Sequence, residues 1–169
     1  MPSRYNPQVP PASIEHHYTP PNLAARLVSF VPLRKDDAVL DPAAGANRVF
    51  ARHFGVHRRM ECEIAAGSDF LAMPLVYNWA ITNPPYHLLW RFIEKAAQES
   101  RKGFAFLVNI NGFNSLTPRR LRLLAEQQFS LRHLHVCQVR RWFGRYYFVV
   151  FTKEVSGACA ITWDEKPWE

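Results

Sequence analysis

The sequence predicts an α/β fold in which helices cover a mostly parallel sheet with an antiparallel last strand. Short apolar, β-prone segments alternate with segments whose apolar residues have helical spacing. Small and polar residues directly follow two of the predicted strands, at 41–47 and 83–86. Two β-prone segments then close the pattern without a helix between them. Strands that alternate with helices and end in such a pair indicate an α/β sandwich.

Each predicted element has its own sequence signal. Leu23, Leu27 and Val28 lie on one face of the first predicted helix. Thr117 is a favourable N-cap for the last helix, and Pro118 suits its first turn. We predict helices at 22–30, about 48–54, 88–97 and 117–128, and strands at 38–40, 59–64, 77–82, 103–108, 131–139 and 146–153, with a short final strand at 158–163.

The unit after the second strand is predicted to be abbreviated. Only five residues separate Glu63 from Asp69. A full crossover helix between two parallel strands needs a longer connection than this. We therefore expect no helix between these two acidic residues.

Length and composition predict a single domain across residues 1–169. The chain is 48% hydrophobic and 21% charged, as expected of a globular protein with a real core. Residues 1–15 contain four prolines and predict a flexible arm. No apolar run of membrane-spanning length and no signal-peptide pattern is present, so we expect a cytoplasmic protein without a membrane partner. No insertion is large enough for a separate target-recognition domain.

The charge distribution predicts a polyanionic partner. The formal net charge is +7 and the isoelectric point is about 9.7. Arginine is clustered at 57–59 and 119–122 and is interleaved with aromatic residues at 140–145. Arginine beside aromatic side chains suits phosphate contacts and base stacking. A solvated basic surface would carry the same charge, so charge alone leaves both interpretations open.

Cysteine and histidine do not predict a metal site. Cys62, Cys137 and Cys159 are odd in number and far apart, which argues against a disulfide framework and a CxxC-type site. His133 and His135 share one strand face, but no carboxylate or thiol joins them at the usual ligand spacing. We therefore expect no metal.

The most informative stretch is Asn83-Pro84-Pro85-Tyr86, between a predicted strand and a predicted helix. Two prolines cannot continue a sheet ladder, so this segment forms a stiff turn at the carboxyl end of the strand. The Asn83 side-chain carbonyl and the Pro84 main-chain carbonyl are two acceptors that suit an amino group. Tyr86 adds a flat face beside them. Together they predict a pocket for a planar base or amide.

A second motif is the loop at 41–47, which follows the strand at 38–40. Small residues between a strand and a helix let a ligand approach the backbone. Asp41 at the strand end would repel a phosphate but attract a hydroxyl or an ammonium group. The loop therefore predicts a site for a nucleoside or amino-acid moiety.

These two motifs together resemble those of S-adenosylmethionine-dependent amino-methyltransferases, most closely the DNA adenine N6-methyltransferases. Asp41-Pro42-x-x-Gly45 precedes Asn83-Pro84-Pro85-Tyr86, and the match covers about residues 18–153. The resemblance implies a Rossmann-like class I methyltransferase sandwich. It also implies S-adenosylmethionine as cofactor and DNA as partner, with RNA as an alternative.

The resemblance further implies which residues bind the cofactor. The loop at 41–47 would hold the methionine moiety, an acid ending the second strand would bind the ribose, and an Asp-Phe pair would contact the adenine. For the ribose, Glu63 is the first choice and Glu61 the alternative. The full set of implied cofactor-binding residues is Tyr18, Thr19, Pro20, Asp41, Ala43, Gly45, Glu63, Asp69 and Phe70.

The catalytic and nucleic-acid-binding residues are implied in the same way. A target adenine turned out of the helix would stack on Tyr86, with its N6 amino group bonded to Asn83 and Pro84. An aromatic residue in the loop before the strand at 146–153, Trp142 or Phe143, would help to hold it. The implied catalytic residues are Asn83, Pro84, Pro85 and Tyr86, and the implied nucleic-acid-binding residues are Arg140, Arg141, Trp142, Phe143 and Arg145.

The sequence also departs from the family. Asn47 stands where the second glycine of the loop is usual, although asparagine tolerates the left-handed conformation that such a turn needs. RNA adenine methyltransferases and protein glutamine methyltransferases carry the same or related motifs, and a catalytically silent nucleic-acid-binding module is a further alternative. The positive charge favours a nucleic-acid acceptor over a protein side chain.

Overall fold

The computed structural model describes residues 19–140, 142–154 and 157–169. The predictions for the arm at 1–15, for Tyr18 and for Arg141 fall outside these residues. The helices are α1 (Pro21–Ser29), α2 (Leu89–Glu99), α3 (Ile110–Asn114) and α4 (Pro118–Glu126). The strands are β1 (Ala38–Asp41), β2 (Arg58–Glu61), β3 (Tyr77–Thr82), β4 (Ser100–Asn109), β5 (Ser130–Cys137), β6 (Tyr146–Thr152) and β7 (Ala160–Trp163).

The described strands form one seven-stranded sheet in the order β2-β1-β3-β4-β6-β5-β7. Strand β6 runs antiparallel to both of its neighbours, and every other neighbouring pair is parallel. The α/β fold with a mostly parallel sheet is therefore confirmed. The antiparallel strand is β6, and the short β7 then adds to the sheet edge in parallel with β5.

Two core layers cover the faces of this sheet, because successive side chains of a strand point to opposite sides. Trp79 and Ile81 of β3 pack in one layer, where α1 contributes Leu23 and Leu27. The intervening Ala80 packs in the other layer, where α2 contributes its apolar face. Both faces of the central strands are buried, which explains why these strands are continuously apolar in sequence.

Gly103 marks the tightest approach between β4 and its surroundings. A Cβ at this position would collide with the ring of Trp79 and with the carbonyl oxygen of Phe151. The glycine is therefore required for space and not for an unusual backbone angle. It lets the large Trp79 ring, 1% exposed, lie flat within its layer.

The helix predicted at 48–54 is wrong. Residues 45–50 form turns, and only Ala51–His53 form a short 3₁₀ helix. Arg48 has φ of +48°, which cannot belong to a right-handed helix. The sequence signal failed because apolar residues in this short segment pack on the core without helical backbone.

The end of β2 and the presence of a short helix after β4 also differ from the prediction. Strand β2 ends at Glu61 and not at residue 64. Cys62 continues the pairing through its N–H to the Asp41 carbonyl oxygen, at 2.8 Å, and Glu63 then begins a 3₁₀ turn. The short helix α3 was not predicted; Asn109 caps it by accepting a hydrogen bond from the Gly112 N–H at 2.7 Å.

The abbreviated second unit is confirmed. Between Glu63 and Asp69 the chain forms only the 3₁₀ turn Ile64–Ala66, which ends at Gly67 with φ of +80°.

Among the described residues, no helix is both long and apolar enough to cross a bilayer.

Candidate active site

Polar residues of two adjacent parallel strands meet at one edge of the sheet. Strand β1 ends at Asp41, and the neighbouring β3 ends at Thr82, directly before Asn83. Asp41 and Thr82 are both buried. Because carboxyl ends of parallel strands share an edge, the two sequence motifs lie side by side.

Asp41 is held in an apolar setting with half of its carboxylate unsatisfied. The side chain is 1% exposed, and its Oδ1 accepts a hydrogen bond from the Ala43 N–H at 3.3 Å. Its Oδ2 has no hydrogen-bond partner among the described residues. Burial raises the pKa of Asp41 to about 7, and the nearby polar groups of Thr82 and Ala43 only partly offset this shift. Asp41 is therefore a buried, incompletely hydrogen-bonded carboxyl group at the end of β1.

The backbone after Asp41 forms the expected open turn. Gly45 has φ of +62°, and no atom lies within 4 Å of the position a Cβ would take. The second left-handed residue is Arg48 and not Asn47, since Arg48 and Gln128 are the non-glycine residues with positive φ in the described part of the chain. We expected Asn47 to adopt the left-handed conformation in place of the usual glycine, and this expectation is wrong.

Asn83 is oriented by hydrogen bonds on both ends of its side-chain amide. Its Oδ1 accepts from the Tyr86 hydroxyl at 2.8 Å. Its Nδ2 donates to Thr19 Oγ1 at 3.4 Å. A carbonyl oxygen has two lone pairs, so Oδ1 can accept a second hydrogen bond from a ligand.

The Asn83 turn is also tied to the Asp41 loop. Thr82 Oγ1 donates to the Ala43 carbonyl oxygen at 3.4 Å, and the Ala43 N–H reaches Asp41. Sequence analysis missed Thr82, which is fully buried. Its signal was available, because it is a polar residue at the end of an otherwise apolar strand.

Tyr86 belongs to an aromatic group at the mouth of the site. It lies in the 3₁₀ turn Tyr86–Leu88, packed on the core layer of α1, and burial raises the pKa of its phenol. Its ring centroid is 6.2 Å from that of Tyr146. The ring of Tyr146 is in turn 4.4 Å from that of Trp142. Three aromatic rings therefore extend from the Asn83 turn to the loop between β5 and β6.

The loop between β5 and β6 separates the two aromatic candidates. Trp142 packs beside the core, whereas Phe143 is 96% exposed. Gly144 follows with φ of +84°, and Arg145 is exposed. Arg140 pairs with Glu169 at 3.1 Å. The structure thus brings Trp142 to the site and leaves Phe143 facing outward.

The two candidate ribose ligands differ in position. Glu61 ends β2 in register with Asp41 and is paired with Arg48 at 3.1 Å and Arg59 at 3.2 Å. Glu63 lies beyond the strand, where its Oε1 accepts from the Ala65 N–H at 3.1 Å. Glu61 is therefore the acid nearest to the first motif along the sheet.

Of the two residues predicted to contact the adenine, only Asp69 has an accessible side chain. The ring of Phe70 is 1% exposed and packs on Phe92 with a centroid distance of 5.1 Å. The whole residue belongs to the core, and Phe70 has almost no surface that a ligand could contact. Asp69 is half-buried, and its Oδ1 accepts from the Leu71 N–H at 2.9 Å.

Two clefts open beside these residues. The first has a volume of about 430 Å³ and is lined by Thr19, Pro20, Asn47 and Trp142, among others. The second, of about 370 Å³, is lined in part by Tyr86. Its lining also includes Trp90, Asn109, Asn111 and Arg120, none of which was predicted to act at the site. Asn109 carried a usable signal, since it is a polar residue at the end of the apolar strand β4.

A buried polar group lies at the far side of the sheet. His135 bonds to Asp164 Oδ1 at 3.0 Å and to Thr162 Oγ1 at 2.7 Å, and Cys137 lies close enough to form a ligand set with His135 and Asp164. The expectation that no carboxylate or thiol lies at ligand spacing from this histidine is therefore wrong. Burial lowers the pKa of His135 and raises that of the Cys137 thiol. Both ring nitrogens of His135 form hydrogen bonds, one with Thr162 and one with Asp164.

The sheet order and the polar edge together define a Rossmann-like sandwich with a ligand site at the carboxyl ends of its strands. No family model matches the sequence, and the search of curated proteins gave no significant match. Solved structures do match over most of the chain. One from Listeria monocytogenes, described as a class I S-adenosylmethionine-dependent methyltransferase, has a TM-score of 0.69 and 14% identity over 92% of this chain and 68% of its own.

Two further solved structures share this fold. One from Pyrococcus horikoshii, described as an RNA methyltransferase, has a TM-score of 0.62 and 17% identity, over 88% of this chain and 92% of its own. A modification subunit described as part of a type I restriction enzyme from Vibrio vulnificus has a TM-score of 0.61 and 15% identity, over 90% and 50%. At these identities the likeness is one of fold. The chain has the fold of class I S-adenosylmethionine-dependent methyltransferases.

Proposed function

We propose that this protein transfers a methyl group from S-adenosylmethionine to the N6 amino group of adenine in DNA. The observation that carries the proposal is the position of Asn83. Its oriented amide follows β3 directly and lies beside the loop of Asp41, at the sheet edge where this fold binds ligands. A planar amino group is the acceptor that such a turn suits best.

The residues on the first motif fit the proposed cofactor. The unpartnered Oδ2 of Asp41 suits a ligand that carries positive charge, as S-adenosylmethionine does at its amino group and its sulfur. Ala43 and the open turn at Gly45 would hold the methionine moiety, with Thr19 and Pro20 opposite. Glu61 or Glu63 would bind the ribose, and Asp69 would contact the adenine. Once bound, the cofactor supplies an electrophilic methyl group.

Asn83 and Pro84 would prepare the acceptor nitrogen. Hydrogen bonds from the amino group to Asn83 Oδ1 and to the Pro84 carbonyl oxygen favour pyramidal geometry at N6, which exposes its lone pair. The Tyr86 hydroxyl and Thr19 keep the Asn83 amide from rotating. Most of the acceleration would come from this positioning, because the amino group needs no strong base before transfer.

The aromatic group gives a flipped base a place to stack. A target adenine turned out of a duplex loses its stacking and needs new aromatic contacts. Tyr86 supplies one face, and Trp142 stands at the other end of the group formed with Tyr146. The exposed Arg145 and the paired Arg140 would contact the nucleic-acid backbone nearby.

The experiment that tests this proposal measures methyl transfer to several acceptors in parallel. The protein is incubated with S-adenosylmethionine labelled in its methyl group and with unmethylated duplex DNA, single-stranded DNA or total RNA. Products are digested to nucleosides and identified by mass. We expect N6-methyladenine in DNA. Label only in RNA, or in none of the three despite cofactor binding, would contradict DNA as the acceptor.

Asn83→Ala tests the role of the turn itself. Transfer should be abolished, while the affinity for S-adenosylmethionine measured by calorimetry stays nearly unchanged. Asn114→Ala, which removes an exposed amide at the end of α3, is the matched control and should retain activity. An equal loss of cofactor binding and transfer in Asn83→Ala would show that Asn83 does not act on the acceptor side.

Three alternatives are open to test. The solved RNA methyltransferase of the same fold supports RNA as an acceptor, with adenine as the base that the turn suits, and the same turn would suit a protein glutamine amide. A catalytically silent nucleic-acid-binding module is the alternative from another class. Calorimetry with the wild-type protein distinguishes it, because a silent module with a collapsed pocket would show no binding of S-adenosylmethionine.

A further inference from the structure

The second cleft adjoins the catalytic turn on the side of α3 and α4. Tyr86 and His87 form one wall, and Asn109 and Asn111 form another where β4 passes into α3. Arg120 of α4 closes the cleft. The volume of about 370 Å³ is open to solvent beside Tyr86, so a ligand that reaches Tyr86 can extend into it.

Arg120 is held in place by two neutral contacts. Its guanidinium lies over the Trp90 ring, 4.5 Å from the centroid, and its Nη1 donates to the Ser115 carbonyl oxygen at 2.9 Å. A guanidinium has five N–H donors, so several remain available after these contacts. Stacking and hydrogen bonding fix the side chain, which lowers the entropy lost when it binds an anion.

The charge of Arg120 is not neutralised within the described part of the chain. No carboxylate there lies within 4.0 Å of it, unlike Arg48 and Arg59, which pair with Glu61. None of the residues lining the cleft is acidic. An ordered, half-buried arginine with free donors and no counterion is suited to a phosphate.

We propose that this cleft binds the phosphodiester adjacent to the target adenine, with Arg120 as the phosphate ligand. The inference rests on the proposed function, since it names the part of the nucleic acid that lies next to the methylated base. The side-chain amide of Asn111 faces the same cleft and would contact the same nucleotide. Arg120 thereby positions the nucleic-acid strand so that the target base reaches Asn83 and Tyr86.

The first test compares arginine variants in steady-state methylation. The substrate is an oligonucleotide from whichever nucleic acid the wild-type protein methylates. Arg120→Gln should raise the KM for this oligonucleotide about tenfold, as expected for one charge-assisted hydrogen bond, and reduce the salt dependence of kcat/KM by about one unit of slope. Arg120→Lys keeps the charge but loses the stacked fork, so it should recover only part of the affinity.

Arg101→Gln is the matched control. Arg101 is exposed and lies at the opposite end of β4 from Asn109, so the same charge is removed far from the cleft. Its KM should stay within twofold of the wild type. Equal effects of Arg101→Gln and Arg120→Gln would overturn the proposal, because they would reflect net charge alone. The affinity for S-adenosylmethionine should be unchanged in both variants, and circular dichroism checks folding.

The second test neutralises single phosphates of the oligonucleotide with methylphosphonate linkages, one position at a time. With the wild type, a neutral linkage next to the target adenine should raise KM about tenfold, and with Arg120→Gln the same linkage should have little further effect. Equal sensitivity in both proteins would overturn the proposal. If the wild type methylates no nucleic acid, the proposed function itself fails; if it does and Arg120→Gln is unaffected, only this inference fails.

Discussion

At the scale of single residues, Asn83 has its side chain set before any acceptor arrives. The Tyr86 hydroxyl and Thr19 Oγ1 bond opposite ends of its amide. Such fixation distinguishes the amide oxygen of Asn83 from its nitrogen and holds the side chain in one orientation. Tyr86 therefore has two roles in the proposed reaction: its ring stacks, and its hydroxyl orients Asn83.

Tyr86→Phe separates these roles. The ring remains, whereas the hydrogen bond of 2.8 Å to Asn83 is lost. We expect kcat to fall about tenfold, as one neutral hydrogen bond allows, with little change in KM for the nucleic acid. Tyr147→Phe is the control, since that ring packs on Phe113 in the other core layer. An unchanged kcat in Tyr86→Phe would remove the hydroxyl from the mechanism.

Asp41 should make cofactor binding depend on pH. Burial raises its pKa to about 7, so the carboxyl is largely protonated in the free protein below that pH. A bound cation favours the ionised form, which means that binding releases a proton below pH 7. The affinity for S-adenosylmethionine should therefore fall up to about tenfold for each pH unit below 7 and level off above it.

Calorimetry across pH 5.5 to 8.5, in buffers of different ionisation enthalpy, measures both the affinity and the proton released. In Asp41→Asn the affinity should be lower and its dependence on pH between about 5.5 and 7 should disappear. A pH dependence that persists in this variant would assign the titration to another group.

At the scale of elements, the packing of β3 against β4 depends on Gly103. The Trp79 ring occupies the space that any side chain at Gly103 would need. The largest fully buried side chain of the described residues thus belongs to the strand that leads to Asn83. Movement of Trp79 would shift β3 and the turn that follows it.

Gly103→Ala should therefore destabilise the protein by about 1–3 kcal/mol, because an overpacked core must displace the ring or the backbone. Thermal unfolding should show a melting temperature lower by several degrees. Gly157→Ala is the control: it has open space around it and no positive φ, so its melting temperature should match the wild type. Equal stability of the two variants would mean that the Trp79 layer repacks without cost.

Sequence patterns predicted most elements but not those set by distant contacts. The strand at 77–82 was predicted with its observed bounds because both of its faces are apolar. The segment at 48–54 has helical spacing, yet its backbone is shaped by packing and by the left-handed Arg48. Spacing along the chain cannot show this, since core packing is long-range.

The position of the candidate site could likewise be predicted in part from apolar strand patterns. Asp41 ends one apolar strand and Asn83 directly follows another, so their shared edge followed from parallel pairing alone. The proposed role of Arg120 could not be predicted, because its place near Tyr86 depends on how α4 packs after α2, β4 and α3. Phe70 was assigned to a ligand by resemblance, and only its burial shows that its ring belongs to the core.

At the scale of the whole molecule, positive charge exceeds negative charge, and the arginines differ in whether an acid pairs with them. Glu61 is paired with Arg48 and Arg59, whereas Arg120 has no acidic partner in the described residues. The formal net charge is +7. Such a molecule attracts a polyanion over long range, and that attraction is screened by salt.

Methyl transfer should therefore depend on ionic strength only because binding of the nucleic acid does. Raising salt from about 50 to 200 mM should lower kcat/KM for the nucleic acid at least tenfold, since each phosphate contact contributes a slope of about −0.9. The dissociation constant of S-adenosylmethionine should change less than twofold over the same range. A salt dependence shared by both ligands would indicate a general loss of structure, and its absence would argue against a polyanionic acceptor.

The reversed direction of β6 has a consequence for how this protein could acquire new specificity. Its pairing with β5 brings Cys137 and Tyr146 into register, so the connecting loop begins and ends at fixed points above the site. Insertion into a surface loop has a small entropic cost, about 0.6 kcal/mol for each doubling of length. A DNA-reading segment grafted next to the exposed Phe143 would leave both strands intact. The loop is thus a natural attachment point for engineering a sequence-specific methyltransferase from this compact scaffold.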